Sequence, residues 1–337
     1  MEYFDLELAK AADTLVREKT LLNLKPGEHL LIYADTETDR RVVESTARAA
    51  HVFGAMVAVM WYATPPDVGE KAVVPRSVTA AMANTDVMVE FSMKSLLFAK
   101  PLAEAKAKGA RYLGLWGMDA GMMIRLIGKV SWQKMIDLGK KLVEISEKAK
   151  TMRITTSAGT DVGFELGAER PFIRSEVGEG LAGEIAWAPI EETINGKIVL
   201  DGSIYPPEIG IIRVPIELDV EKGRVTRIAG GADAKTFERW LASWKDSKMY
   251  NLAHFSYSFN PSAKLSDKIL EACRVFGSIV VGVGYQREHY KGNAGPAASH
   301  SDGTVQNPSI FMDEECIERD GRYVHPELAE ISKALGV

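Results

Sequence analysis

The residues best suited to chemistry lie near the C-terminus, in Ser299-His300-Ser301-Asp302-Gly303-Thr304-Val305. One residue separates His300 from Asp302, and the runs beyond them, Thr304-Val305 and Ser309-Ile310-Phe311-Met312, read as extended chain. Alternate residues of a strand point to the same face. An imidazole and a carboxylate therefore sit side by side and aim at one point, with Gly303 expected to leave room beside them. Two imidazoles and one carboxylate make the facial triad that holds non-haem Fe(II) and leaves coordination positions open. A second imidazole is available upstream, His254 in Leu252-Ala253-His254-Phe255-Ser256-Tyr257. A His-x-Asp alone fits equally a hydrogen-bonded surface histidine beside a turn aspartate, so the rest of the chain has to decide.

Competing chemistries find little in the sequence. There is no GxSxG elbow for a serine nucleophile and no HExxH for a zinc protease. Of the six histidines, His29 falls in an apolar strand, His51 on a helix and His325 before Pro326; these read as structural or surface residues. His254, His289 and His300 cluster late in the chain, as a shared metal requires. Only two cysteines occur, Cys273 and Cys316, without a CxxC, which excludes a disulfide framework and a cysteine zinc site.

Composition narrows the partners. The chain has 337 residues, 46% hydrophobic and 26% charged, with a net charge of −5 and both signs interspersed. That is the make-up of a globular protein of about two domains, and it argues against a nucleic-acid groove or a polybasic membrane face. The longest apolar run, from about Val52 to Ala63, is too short to span a bilayer. The opening Met1-Glu2-Tyr3-Phe4-Asp5 is acidic and leads into an amphipathic helix, unlike a secretory signal. The expected compartment is the cytoplasm, and the expected partners are small molecules and other copies of the chain.

The elements that must position these residues fall into two groups. From Leu6 to about Leu24 apolar residues recur at helical spacing; His29 to Tyr33, Ala55 to Tyr62, Asp86 to Phe91 and Arg111 to Trp116 are of strand length. Helical stretches at Asp39–Gly54, Pro75–Ala83 and Pro101–Lys108 separate them, and alternation of this kind predicts a parallel sheet with crossover helices, an α/β domain over residues 1–150 closed by a helix from Ser131 to Lys150. It carries neither a GxGxxG nor a GxxxxGK[ST], and the acidic Asp35-Thr36-Glu37-Thr38-Asp39 has the wrong sign for a phosphate cradle. From Thr151 strands dominate, beginning with a hairpin over Met152–Leu166, so residues 151–337 are read as an α+β domain that holds the metal site. Two loops in it are rich in glycine and small residues: Ser175 to Gly183, which leads to Glu184, and Tyr290 to Ser299, which leads to His300.

Four segments of this second half, in order, resemble the family that joins aminopeptidases of the thermophilic aminopeptidase T type to 2,5-dihydroxypyridine 5,6-dioxygenase. They are Thr155-Thr156-Ser157-Ala158-Gly159-Thr160-Asp161, Gly183-Glu184-Ile185-Ala186-Trp187-Ala188-Pro189, Leu252-Ala253-His254 and His300-Ser301-Asp302. The resemblance implies a site and a branch. Where the two-metal aminopeptidases have a glutamate, this chain has His254; where they have a second metal-binding histidine, Ile279-Val280-Val281-Gly282 offers none. What remains suits one Fe(II) on His254, His300 and Asp302, as in the ring-cleaving dioxygenase, acting on a small aromatic substrate and O2 with a product resembling N-formylmaleamate. A homodimer or larger homo-oligomer is also implied. Glu184 and His289 become the candidate proton-transfer groups, and Tyr290 and Ser301 the candidate substrate contacts. The chain departs from the dioxygenase branch in having no histidine between His51 and His254. The alternatives are a Zn- or Co-dependent aminopeptidase and a family member that binds a small molecule without turnover.

Overall fold

The computed structural model describes residues 3–66, 73–97, 99–177, 180–206 and 208–337. Contacts divide the chain into two units, residues 1–130 with 176–182 and residues 131–175 with 183–337.

The first unit opens with α1 (Tyr3–Arg17), whose Leu8, Ala11, Ala12, Leu15 and Val16 fall on one helical face and are all buried. Four parallel strands follow: β1 (His29–Asp35), β2 (Met56–Tyr62), β3 (Val87–Glu90) and β4 (Arg111–Gly114), in the spatial order β2-β1-β3-β4. The crossovers run through α2 (Arg40–Phe53), α3 (Arg76–Met82) and α4 (Lys100–Ala107). Asp39 caps α2 by accepting from the Arg41 backbone N–H at 3.0 Å, and Gly54 ends it in the left-handed region at φ 98°. The acidic turn after β1 closes on itself: buried Asp35 accepts from Thr38 Oγ1 and the backbone N–H groups of Glu37 and Lys94 at 3.0–3.1 Å. Glu90, fully buried at the end of β3, accepts from Tyr112 Oη and the Leu96 N–H at 2.6 Å and from Trp116 Nε1 at 3.1 Å. Burial pushes its carboxyl up to about 7 against the pull of those donors. A short α5 (Ala120–Met123) runs on into a π-turn, Ile124–Gly128, that packs on α1.

The second unit begins with α6 (Trp132–Ser146), the helix expected to close the first domain. It packs instead on the strand Glu184–Trp187 and the C-terminal helix of its own unit, so the contact boundary falls at 130/131 rather than at 150/151. Strands then run as β5 (Thr151–Thr155), β6 (Asp161–Glu165), β7 (Ile173–Arg174), β8 (Glu184–Trp187), β9 (Asn195–Leu200), β10 (Ser203–Ile204), β11 (Gly210–Ile211), β12 (Ile216–Glu221) and β13 (Arg224–Gly230). After α7 (Ala232–Ser243) come β14 (Leu252–Ser258), α8 (Ile269–Ala272), β15 (Ser278–Gly284) and β16 (His300–Gln306). The chain finishes with β17 (Ser309–Met312), β18 (Glu315–Arg319), β19 (Arg322–Tyr323) and α9 (Pro326–Leu335).

These strands form two antiparallel sheets, a seven-stranded one ordered β11-β10-β16-β15-β14-β8-β7 and an eight-stranded one ordered β13-β12-β9-β6-β5-β17-β18-β19. One face of the seven-stranded sheet is its core face. There Phe255 meets Phe164 of the other sheet at 4.7 Å between ring centres, Trp187 stands 4.4 Å from Tyr257, and Tyr257 Oη reaches Ser146 Oγ of α6 at 3.0 Å. Strand alternation therefore assigns the neighbours of these residues, His254, Ser256, Ala186 and Ala188, to the opposite face. The protein is thus a mixed α/β fold, with one parallel four-stranded sheet and further antiparallel sheets. Among the described residues no helix is long and apolar enough to cross a membrane.

Candidate metal centre

Register sets the site. Across the middle of the seven-stranded sheet, Asp302 of β16 faces Gly282 of β15, and Gly282 faces His254 of β14. Directly opposed residues of antiparallel strands share a face, so Asp302 and His254 flank a position that has no side chain. The His254 ring fills it: a Cβ on residue 282 would lie 2.4 Å from His254 Cδ2 and Nε2. His300, two residues before Asp302, brings the second imidazole to the same face. The room attributed to Gly303 belongs to Gly282. Gly303 alternates to the core face, where a Cβ would meet Leu200 Cδ1 at 2.7 Å.

His254 Nε2 lies 3.2 Å from His300 Nε2 and 3.2 Å from Asp302 Oδ1, and His300 Nε2 lies 3.0 Å from Asp302 Oδ1. An ion bonded to each donor at about 2.1–2.3 Å, with right angles between the bonds, requires donors about 3.0–3.2 Å apart. The triangle therefore matches one face of an octahedron. Among the described residues these three are the one group of at least three His, Cys, Asp or Glu side chains able to share an ion.

Hydrogen bonding behind the rings points their lone pairs inward. His300 Nδ1 is 2.8 Å from the carbonyl oxygen of Tyr285, which only accepts, so Nδ1 carries the hydrogen and Nε2 of the neutral ring offers a lone pair. His254 Nδ1 is 3.2 Å from Ser256 Oγ. The Tyr285 carbonyl so fixes the tautomer of His300, while the Ser256 hydroxyl, able to donate or accept, holds the His254 ring and leaves its Nε2 to offer a lone pair when Nδ1 donates. The trio then presents two imidazole lone pairs and a carboxylate oxygen to one point, an arrangement that needs a cation. Burial opposes charge on both partners, but the facing charges prevail, holding Asp302 well below the usual carboxylate range and raising His300. His254 is 6% exposed, against 31% for His300 and 23% for Asp302, so access is from the β16 side.

The other expected site residues divide. Buried Tyr290 packs its ring 5.4 Å from that of His254, and His289 meets Tyr290 edge-on at 4.5 Å. Half-burial and the nearby Arg287 charge lower the His289 pKa and favour its neutral form. Glu184 shares the site face but pairs with Ser258, four residues along β14 from His254, or about 13 Å at strand rise. Its carboxylate is committed to Arg274 Nη2 at 3.2 Å and to Ser175 Oγ at 3.3 Å. The glycine-rich stretch leading to it includes 178–179, outside the described residues. Ser301 is a correction: it alternates away from His300 and Asp302 and donates to the Tyr205 carbonyl, so it does not face the site. Sequence reasoning missed the slot at Gly282 and the acceptor at Tyr285. Only Ser256, two residues from His254 and so on its face, carried a readable signal.

Known proteins give this geometry a context. A model of the NicX family, described as 2,5-dihydroxypyridine 5,6-dioxygenase, matches residues 10–325. The 2,5-dihydroxypyridine 5,6-dioxygenase of Pseudomonas putida KT2440 is 25% identical over 201 residues, which cover 54% of this chain and 56% of that enzyme. The match thus spans little more than half of the relative's length. In structure the chain is similar to a 2,5-dihydroxypyridine dioxygenase from Pseudomonas putida KT2440, with a TM-score of 0.77 at 18% identity, covering 96% of this chain and 99% of that one. It is also similar to the wild-type AmpT of Thermus thermophilus, with a TM-score of 0.67 at 14% identity and coverage of 95% and 100%. At these identities the structural likenesses establish the fold, and the family match over nearly the whole chain establishes descent: the protein belongs to the NicX family, on a fold shared with AmpT.

Proposed function

We propose that this protein is a dioxygenase that opens a hydroxylated N-heteroaromatic ring, with 2,5-dihydroxypyridine as the leading candidate, using O2 and a single Fe(II) held by His254, His300 and Asp302. The observation that carries the proposal is the donor triangle of 3.0–3.2 Å on one sheet face. Its fit to three cis positions, with the remaining positions open, supports a mononuclear centre. Family membership supports ring cleavage as the reaction class.

When bound, iron would supply a common meeting point for the substrate's ring oxygen and O2, and a path for electron density from the electron-rich ring to the oxidant. The remaining work falls to the chain. The Tyr285 carbonyl holds His300 with its Nε2 lone pair inward, and Ser256 holds the His254 ring with Nε2 toward the same point. Tyr290 and the small Ala186 and Ala188, which pack together, form an apolar wall against which a flat ring can lie. His289, favoured as the neutral imidazole, accepts the proton of a ring hydroxyl as the ring binds. Glu184 is held as a charged partner of Arg274 and has a positioning role on this reading. Both atoms of O2 enter the product as the bond between ring carbons 5 and 6 breaks, so no external reductant is needed.

A two-metal hydrolase would need a second donor group beside the first. Among the described residues only the one group of three occurs, and Gly282 occupies the middle position of the row. The deciding experiment is metal analysis of anaerobically purified protein, joined to O2 uptake with a panel of hydroxypyridines and catechols. Roughly one iron per chain and substrate-dependent O2 consumption are expected. Two zinc or cobalt ions per chain, or a flat oxygen trace across the panel, would overturn the proposal.

A further inference from the structure

Strand β14 has one residue more than the strand it faces. Leu252 pairs with Val283 and His254 with Gly282, which leaves Ala253 unmatched in a bulge immediately before the metal-binding histidine. A bulge takes its residue out of the ladder and re-aims the side chains beside it. The Ala253 carbonyl has a partner all the same: Gln286 Nε2 donates to it at 2.7 Å. The same nitrogen donates to Glu191 Oε1 at 2.9 Å, and Gln286 Oε1 accepts from the Ala294 N–H at 3.0 Å.

The orientation of this amide is forced by its partners. A carbonyl and a carboxylate only accept and a backbone N–H only donates, so the NH2 group must face Ala253 and Glu191 while the oxygen faces Ala294. Glu191 is itself fixed. Its Oε1 also accepts from the Asn293 N–H at 2.7 Å, and its Oε2 forms an ion pair with Arg170 Nη1 at 2.6 Å, both side chains being 10% exposed. Gln286 is 5% exposed, and a Cβ on Gly292 would stand 2.3 Å from its Oε1, so the amide is enclosed. The arrangement binds two things at once. One is the bulge that aims His254, and the other is the 286–294 loop, whose Tyr290 packs on the His254 ring.

We propose that Glu191 and Gln286 are a positioning pair for the metal centre: the carboxylate orients the amide, and the amide fixes the Ala253 bulge and hence where His254 presents Nε2. The inference rests on the metal-centre reading above, and it adds residues that lie outside the ligand set. Outer partners of this kind carry about 10–100-fold in metal affinity.

The test uses Co(II), titrated into the metal-stripped full-length protein against a chromophoric chelator, with the visible spectrum of the bound ion as a second readout. Gln286→Met removes both donors at similar volume and leaves the Ala253 carbonyl unpaired. The expected result is a Co(II) affinity about 10–100-fold below wild type and displaced ligand-field bands. Glu191→Asp keeps the charge beside Arg170 but withdraws the oxygen from the amide. It should shift affinity and bands in the same direction, and it serves if Gln286→Met does not fold. Gln306→Met, which removes an amide at the far end of β16 that donates to the Asp201 carbonyl, should leave both readouts at wild type. Folded Gln286→Met or Glu191→Asp protein with the affinity and spectrum of wild type overturns the inference. If the unsubstituted protein takes up no Co(II), the metal centre itself fails and the inference with it. That outcome is recognisable because it appears before any substitution is made.

Discussion

Replacing Gly282 by alanine tests the site through one methyl group. The added Cβ would stand 2.4 Å from two atoms of the His254 ring, whereas carbon contacts settle at about 3.5–4.0 Å. The imidazole must therefore retreat by about 1 Å. A metal ligand tolerates a displacement of about 0.2 Å, so His254 Nε2 leaves the triangle and the centre keeps one imidazole and one carboxylate. Loss of a direct ligand should exceed the effect of an outer partner, which puts the fall in metal affinity at about 100-fold or more, about 2.8 kcal/mol at 1.4 per decade. Residue 282 has ordinary strand backbone, so alanine is not opposed by conformation, and removing a strand glycine is favourable by about 0.5–1 kcal/mol. The cost is then steric, about 1–3 kcal/mol of overpacking, and it should vanish when the ring is removed. Metal titration and thermal unfolding of Gly282→Ala, His254→Ala and the double variant measure both quantities. The expected pattern is metal loss in all three, with the double variant more stable than the sum of the single effects implies. Gly282→Ala protein that binds metal as tightly as wild type would refute the reasoning.

Three other outcomes are expected. His300→Ala should lose metal and oxygen uptake together, because two protein ligands hold iron poorly; stoichiometric iron in the purified variant would count against the ligand assignment. Glu184→Gln should retain metal but lose about 1.5–3 kcal/mol of stability, since it puts a neutral amide in place of the carboxylate 3.2 Å from the buried Arg274 guanidinium, which keeps its bond to the Leu270 carbonyl; an unchanged melting temperature would contradict that. Glu318 is 1% exposed, one of its oxygens has no hydrogen-bond partner, and burial pushes its carboxyl up to about 8 from an ordinary 4.5. Below pH 4.5 it is protonated folded or unfolded; between 4.5 and about 8 only the unfolded chain ionises, so stability falls by up to about 1.4 kcal/mol per pH unit, about 5 kcal/mol in all. Unfolding in denaturant across that range should show Glu318→Gln with a shallower slope than wild type, and parallel slopes would refute the assignment.

How much of this was readable beforehand depends on the range of the interaction concerned. The parallel sheet of the first unit follows from local pattern: β1 is a short apolar run, and α2 carries its own capping aspartate and terminal glycine. Such signals lie within a few residues of what they control, and the strands and crossovers appear where periodicity puts them. The partner of α6 was not local. Its buried face, including Trp132, Met135, Leu138 and Leu142, fits a core in either unit equally well. Partners far along the chain assign it to the second: α9 and β8 pack on it, Tyr257 Oη reaches Ser146 Oγ at 3.0 Å, and a Cβ on Gly139 would meet Phe259 at 3.1 Å.

The site shows the same division more sharply. His300 and Asp302 are two residues apart on one strand, so alternation alone puts them on one face. The same rule, carried one residue further, would have turned Ser301 and Gly303 to the core, where the structure has them. That His254 completes the triangle depends on the register of β14 against β15 and of β15 against β16, which is a property of three strands and of none by itself. The empty position at Gly282 acquires meaning only when that row is assembled, since a glycine in an apolar strand otherwise reads as a weak point in the pairing. Glu191 and Gln286 are 95 residues apart and announce nothing in sequence, because a buried carboxylate and a buried amide are recognisable by their partners and not by their neighbours. Ligand identity is thus written locally, while ligand aim is written in register and in polar contacts that close long loops. A substitution that keeps all three ligand residues and disturbs only their aim should therefore weaken metal binding by about 10–100-fold or more, which is what Gly282→Ala and Gln286→Met are chosen to examine.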